Sequence, residues 1–303
     1  MKHEIIGIDL GYGLIKTRST EFTTALTRFS SEPAITKNTV EYKGNYYVVG
    51  GGQRLNVKTS KTEDGDNFIL TLAALAEELK NRGLNECEVT ISAGLPLTRF
   101  GAQKDSFKEY LLQERDIYFK YETEPYHVVI SDVILSPQGY AAIVEDLDTI
   151  PDDNTLVVDL GSWTMDILPM DGPVPDMTST SSLNEGVITA FNKINEEIRR
   201  SFGNDIPESI IQKVMQNKAV SLPDKYLVVI KELLKEYARN IQTKIEELKF
   251  NTEITSIIFV GGGASIIKNY GMSYFKKARI KCDVHANAKG YEYIAKEMMN
   301  NAA

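Results

Sequence analysis

Residues 5–16 read IIGIDLGYGLIK, and the fold turns on how this stretch is taken. Ile5, Ile6 and Ile8 are β-branched and predict a strand. Gly11 and Gly13 predict a turn, after which Ile15 and Thr17 alternate with Lys16 and Arg18 as a second strand would. A G-x-G behind a strand suggests a nucleotide phosphate loop. Dinucleotide fingerprints and Walker loops, however, lead from a strand into a helix. Here no helical apolar spacing starts at Gly13, and Lys16 stands where the third glycine of G-x-G-x-x-G belongs. Asp9 is also out of place beside a phosphate unless a cation lies between them. Mg²⁺ is often held in that way, through one or two carboxylates together with phosphate oxygens and water.

The unit occurs twice. Residues 156–166, LVVDLGSWTMD, repeat the order of apolar run, Asp-Leu-Gly, short turn and strand. Asp159 matches Asp9, and Gly161 follows it as Gly11 follows Asp9. A duplicated strand–turn–strand unit predicts two similar halves. One D-x-G alone is what any tight hairpin turn needs. Two copies, a Lys after the first and a third glycine loop point together to a phosphate and metal site. That third loop lies in residues 257–267, IIFVGGGASII, where a strand leads into a helix. Gly261, Gly262 and Gly263 leave room for a flat ring or sugar against the backbone. In the two turns, glycines let backbone N–H groups approach phosphate oxygens, Lys16 adds a positive charge, and Ser162 and Thr164 add hydroxyls.

The bulk numbers fit this picture. A chain of 303 residues predicts two domains, and 42% apolar with 25% charged residues is ordinary globular composition. The net charge of −8 argues against a broad basic nucleic-acid surface. Cys87 and Cys282 read as reduced thiols, and His3, His127 and His285 show no metal-ligand spacing. No run is apolar enough for a membrane span or signal peptide, so the expected location is cytoplasmic. Residues 67–83 predict a helix with Asn67 as its N-cap and Gly83 past its end. Residues 183–203 predict an amphipathic helix with Ile188, Phe191, Ile194 and Ile198 on one face, and a longer helix is expected over 224–249. Residues 33–66, polar and rich in glycine and tyrosine, predict short strands and loops in an inserted part. Its tyrosines Tyr42, Tyr46 and Tyr47 suit either a contact surface or their own small sheet.

The order D-x-G…K, D-x-G-x-x-T-x-D, apolar-GGG resembles the actin/Hsp70/sugar-kinase ATPase superfamily, and within it the bacterial actin-like proteins of the ParM plasmid-segregation type. Residues 285–294, HANAKGYEYI, are similar to the A-N-A-x-G tail of that type. The motifs span almost the whole chain. The resemblance implies an α/β, two-lobed actin-like ATPase fold, each lobe a mixed sheet with helices on a duplicated RNase H-like core, with small inserted subdomains. The first lobe is expected over 1–158 and joined by a C-terminal helix 285–303. The second is expected over 159–284, with an inserted helical part near 203–230. ATP or GTP with Mg²⁺ is expected in the cleft. Asp9 and Asp159 would organise the metal. Gly11, Tyr12, Gly13, Lys16, Gly161 and Ser162 would hold phosphates, and Gly261, Gly262 and Gly263 would border the nucleoside. The helix from Glu185 would close over the base or ribose.

The family also needs a residue that positions the attacking water. Gln138, ahead of the expected helix start GYAA, is the candidate, and Asp132 is the second choice. The implied function is nucleotide-dependent filament assembly, with self-association and a DNA-binding adaptor at a plasmid centromere, and without direct nucleic-acid or membrane contact. A small-molecule kinase of the same superfamily is the alternative. It would need a carboxylate base, for which Asp132 and Asp166 are available. An Hsp70-type scaffold would call for a peptide-binding domain after residue 303.

Overall fold

The computed structural model describes residues 1–55, 62, 65–151 and 154–302. Within segment 33–66, residues 56–61, 63 and 64 thus lie outside the described residues. The chain forms two compact units, Met1–Glu145 with His285–Ala303, and Asp146–Val284.

The first unit opens with the expected hairpin, β1 (Lys2–Leu10) and β2 (Leu14–Lys16). Next come β3 (Glu21–Thr23), β4 (Ala25–Phe29), β5 (Thr39–Tyr42) and β6 (Asn45–Arg54). They are followed by α1 (Asp66–Asn81), β7 (Glu86–Leu95), α2 (Leu97–Leu111), β8 (Asp116–Tyr121) and β9 (Glu124–Pro137). Among the described residues the strands make one nine-stranded sheet in the order β3-β2-β1-β7-β9-β8-β5-β6-β4. Its centre, β1-β7-β9, is parallel. Central parallel strands are covered on both faces, which is why β7 reads as a nearly continuous buried run rather than an alternating one. Tyr42 packs in this core against Phe68, and its hydroxyl donates to Glu114. Helix α1 starts one residue before the expected cap. Gly65 is its N-cap, and Asp66, ion-paired with Arg28, occupies the first turn where a carboxylate complements the helix dipole. Asn67 is therefore inside the helix, whereas Gly83 lies past its end with φ +69° as expected.

The second unit contains β10 (Thr155–Leu160), β11 (Met165–Asp171), β12 (Val174–Pro175), β13 (Ser181–Leu183), α3 (Val187–Phe202), α4 (Glu208–Met215) and α5 (Asp224–Glu247). It closes with β14 (Ser256–Val260), the short α6 (Ala264–Ile266) and β15 (Ala278–Ile280). The sheet order is β12-β11-β10-β14-β15, with β13 on β11. All of β10 pairs with β11, and most of it with β14, so the division between units falls upstream of β10 rather than inside it. Ile188, Phe191, Ile194 and Ile198 of α3 are buried together with Ile230, Leu234, Ile241 and Ile245 of α5. The segment after β14 is less regular than a plain helix: α6 passes into a π turn, Ile267–Gly271, and a 3-10 turn, Met272–Tyr274.

The last helix, α7 (Ala286–Ala302), returns to the first unit. A Cβ added at Gly7 would meet the Ala288 carbonyl oxygen at 1.9 Å, and one at Gly94 the Tyr291 hydroxyl at 2.1 Å. Only glycines admit α7 this close to β1 and β7. Arg82, just past α1, then joins three elements. Its guanidinium donates to Glu4 on β1 at 2.7 Å, to Glu78 on α1 at 3.1 Å and to Glu292 on α7 at 3.2 Å.

Burial of Glu78 works against its charge, but donors from Thr17, Ser19 and Arg82 outweigh it and hold the carboxyl below its ordinary 4.5. A depressed folded pKa contributes stability that is complete above about pH 4.5 and is lost as pH falls through the folded value. Glu78→Gln is expected to flatten this acid limb of a stability–pH profile read by urea denaturation, with little change in its slope above pH 6.

Candidate functional site

The first D-x-G turn is built on the β1–β2 ladder. Asp9 lies opposite Lys16, and Leu10 opposite Ile15. Cross-strand neighbours in an antiparallel pair share a face, and here the Lys16 ammonium reaches the Asp9 carboxylate at 3.2 Å. Asp9 is 3% exposed. The cation expected for the phosphates is thus also the local counter-charge of the expected metal ligand. Gly11 is fixed by packing: a Cβ there would meet the Leu14 carbonyl oxygen at 2.6 Å. The Thr24 hydroxyl donates to the Gly11 carbonyl at 2.6 Å, and the Thr24 amide to the Gly13 carbonyl at 3.1 Å. Both carbonyls are thus tied back to Thr24. Nothing in the local pattern of residues 20–24 marks Thr24 for this role. Tyr12, half-buried, lies at the tip of the same turn.

The second unit repeats the hairpin, with one charge reversed. Asp159 lies opposite Asp166 in the β10–β11 ladder, at the place where Asp9 has Lys16. Both carboxylates are buried, at 1% and 4% exposure. Like charges placed opposite each other repel, so this position suits a bound cation. The Thr164 hydroxyl donates to Asp166 at 3.1 Å and is occupied there rather than by a phosphate. The Gly161 amide donates to the Thr164 carbonyl at 2.9 Å, so Gly161 closes the turn instead of offering its N–H outward.

Helix α3 starts directly on this turn. The amides of Gly186, Val187 and Ile188 donate to the carbonyls of Trp163, Gly161 and Ser162 at 3.1, 3.0 and 2.9 Å. The first free N–H groups of a helix need acceptors, and here the turn supplies them. A Cβ at Gly186 would meet the Trp163 backbone at 2.3 Å, which is why glycine precedes the helix.

The third glycine loop packs on the second turn. A Cβ at Gly261 would meet Asp159 Oδ1 at 2.3 Å, and one at Gly263 would meet Leu160 Cβ at 2.7 Å. Gly262 has nothing within 4 Å of such a Cβ. Two of the three glycines therefore serve the packing between β14 and β10, and Gly262 is the one whose space is open.

Glu185 lines a cavity of about 230 Å³ with Thr189, Lys193, Glu236, Tyr237 and Asn240. Asn240 donates to the Glu185 carboxylate at 3.1 Å, and the Tyr237 hydroxyl to its carbonyl at 2.6 Å. Burial, with the Glu185 charge, pushes the Tyr237 phenol far up, so it stays a donor. Of these residues only Glu185 is marked in the sequence. The others lie on the α3 and α5 faces that only packing brings together.

Gln138 follows β9, and its amide donates to the Leu95 carbonyl at 2.8 Å. The expected α-helix after it is a 3-10 helix, Ala141–Thr149. Its first residue packs tightly on α7, where a Cβ at Gly290 would meet the Ala141 carbonyl oxygen at 1.8 Å. Asp132 sits within β9, not in the loop, and is ion-paired with Lys108 at 2.8 Å. Burial works against its charge, but Lys108, the Val133 amide and Arg115 together hold its carboxyl below the usual range.

Among the described residues no three His, Cys, Asp or Glu side chains converge as a metal cage, and no helix is long and apolar enough to cross a membrane. Buried carboxylates at two glycine turns, Asp9 and Asp159, fit Mg²⁺, which takes few protein ligands and shares phosphate oxygens.

Two family profiles match: "Actin like proteins N terminal domain" over residues 7–140, and "Archaeal actin homologue MreB-like, C-terminal" over 157–270. No curated protein sequence matches the chain. Among solved structures the chain is similar to Ta0583, an archaeal actin homologue. The identity is 22% over 97% of this chain and 99% of that one, at a TM-score of 0.76. The same protein is known in complex with ADP, at 24% identity, 97% and 99% coverage and a TM-score of 0.73. Bacillus thuringiensis ParM with ATP matches at 14% identity, 98% and 99% coverage and a TM-score of 0.66. A filament structure of Alp12 matches at 17% identity, 99% and 100% coverage and a TM-score of 0.66.

Proposed function

Because the chain belongs to the actin-like proteins, with an actin-like N-terminal domain followed by an MreB-like C-terminal one, we propose that it binds ATP with Mg²⁺, hydrolyses it and assembles into dynamic filaments. The observation that carries this reading is the duplicated hairpin, with a buried carboxylate at the same ladder position in each unit: Asp9 beside Lys16, and Asp159 beside Asp166. Mg²⁺, when bound, would neutralise charge on the β- and γ-phosphates. Asp9 and Asp159 would hold it or its waters. Lys16, shared with Asp9, would turn to a phosphate oxygen. The amides around Gly11, Tyr12, Gly13 and Ser162 would receive the remaining phosphate charge.

Glu185, Lys193 and Asn240 line the cavity suited to the nucleoside, and Gly262 offers open backbone beside β10. Lys193 and Asn240 are donors on a ribose- or base-sized surface, and this set serves ATP or GTP. Gln138 would orient the attacking water, as a glutamine does in other nucleotide hydrolases. The kinase alternative is less well supported. Asp132 is held by Lys108 within a strand, and Asp166 is buried against Thr164.

The likeness to ParM-type and Alp-type proteins supports filament formation, and plasmid segregation through a DNA-binding adaptor is the role we assign to it. A chain with net charge −8 reaches DNA more readily through such a partner than directly. Light scattering of the purified protein tests the reading. ATP with Mg²⁺ should give a rise that decays as the nucleotide is consumed. No rise at any concentration, together with ATP turnover stimulated by a sugar, would sink the filament and leave a kinase. Gln138→Ala is expected to slow hydrolysis roughly 100-fold while leaving nucleotide affinity and prolonging the scattering plateau. Decay at the wild-type rate would remove Gln138 from the mechanism.

A further inference from the structure

We propose that the start of α7, His285-Ala-Asn287, is a positioning bracket for the reactive loops of the first unit, and that Asn287 holds the Gln138 loop in place. The proposal rests on the reading of Gln138 as the water-orienting residue. It begins from a buried contact between distant parts of the chain. The Asn287 side-chain oxygen accepts the Gly139 amide at 3.0 Å, and Asn287 is 5% exposed.

Gly139 has φ +78°, so the chain turns sharply straight after Gln138. The Gln138 amide is already bound to the Leu95 carbonyl at 2.8 Å. The two consecutive amides at the loop are thus held by β7 on one side and by α7 on the other. Two residues earlier, His285 Nδ1 lies 2.9 Å from the Thr17 carbonyl. A carbonyl only accepts, so that nitrogen carries the proton. Thr17 is fully buried and follows Lys16, the cation paired with Asp9. One short stretch of chain therefore contacts the residue after Lys16 and the residue after Gln138.

The bracket has a rigid base. Gly290 lies against the Ala141 carbonyl and Gly7 against the Ala288 carbonyl, each closer than a Cβ would allow. Helix α7 has no room to shift without carrying the loop with it. A water-orienting side chain needs its backbone held to a fraction of an ångström. The hydrogen bond that the Gly139 amide donates to Asn287 supplies that constraint through the main chain. Asn287 is in this sense a positioning residue.

The test compares Asn287→Ala with Asn287→Asp, which keeps the acceptor oxygen, in the full chain. Asn287→Ala should lower kcat for ATP about tenfold, since small misplacements of reacting groups carry costs of that order. Affinity for a fluorescent ATP analogue with Mg²⁺ should stay within about twofold, since the loss falls on the reaction rather than on ground-state binding. Asn287→Asp should restore kcat to within about threefold of wild type by keeping the constraint on the loop. The double variant Gln138→Ala/Asn287→Ala should be no slower than Gln138→Ala alone, because both act on one group.

Equal losses in the Ala and Asp variants, or a parallel loss of affinity and kcat, would make Asn287 merely structural and overturn the proposal. Additive losses in the double variant would do the same. Should Asn287→Ala fail to fold, Asn287→Ser withdraws the acceptor from Gly139 and serves the same comparison. A wild-type rate for Gln138→Ala would separate the two ideas. Gln138 would then leave the mechanism, and a slow Asn287→Ala beside it would overturn the pairing of these residues.

Discussion

Gly261→Ala is expected to cost about 3 kcal/mol of stability and to abolish ATP turnover. Two independent costs add. Gly261 has φ +81°, a left-handed conformation that costs an L-residue roughly 1–2 kcal/mol. The new methyl would also lie 2.3 Å from Asp159 Oδ1 and 2.8 Å from the Leu160 carbonyl oxygen. Overpacking of that kind costs about 1–3 kcal/mol where the neighbours cannot withdraw. Asp159 and Leu160 are buried at the end of a central strand and have little room to do so. Gly262→Ala is the control. Its methyl meets nothing within 4 Å, so stability should stay within about 0.5 kcal/mol. If the nucleotide lies on that backbone, the same variant raises the KM for ATP. Urea denaturation and steady-state turnover of the two variants decide the matter. A Gly261→Ala protein that folds and works as wild type would contradict the packing of this loop on Asp159.

Asp159→Ala should show the reverse balance, a large loss of function with stability largely preserved. Removing a group that stabilises transition-state charge costs roughly 100- to 1,000-fold in turnover, and Asp159→Asn, with the same shape, should lose as much. The folded state, by contrast, gives up one of two carboxylates set opposite each other in a buried ladder. Relief of that repulsion should offset part of the packing lost with the side chain, so the fall in ligand-free stability should be small beside the loss of turnover. Thermal denaturation with and without ATP and Mg²⁺ reads the difference. Wild type should be stabilised by the ligand in proportion to its affinity, and the variants much less. Unchanged turnover in Asp159→Ala would remove this residue from the mechanism. A large fall in ligand-free stability would mean that Asp159 serves the fold first.

The legible residues were those whose task is local. Asp9 and Asp159 stood out because the same short pattern occurs twice, and both hairpins formed where the β-branched runs and glycines placed them. The buried face of α3 was readable for the same reason, since its period is a property of contiguous residues. Gln138 was readable only as a polar residue ahead of an expected helix start. The segment after it is a 3-10 helix whose first residue packs against Gly290, a residue far along the chain. Thr24, Tyr237 and Asn240 carried no local mark at all, and Asn287 was marked only as part of the A-N-A-x-G stretch, not by its task. Each acts through a hydrogen bond to a backbone or carboxylate distant in sequence.

The glycines draw the line most clearly. Gly11 could be assigned to a tight turn from its neighbours alone, because the carbonyl that excludes a side chain there belongs to Leu14, three residues on. The run Gly261–Gly263 could be recognised as a loop but not divided into its parts. Gly261 and Gly263 are glycine because β14 lies beside β10 and brings Asp159 and Leu160 against them, while Gly262 meets open space. A sequence records which residues can turn. Which of them must be bare is set by what the folded chain puts next to them.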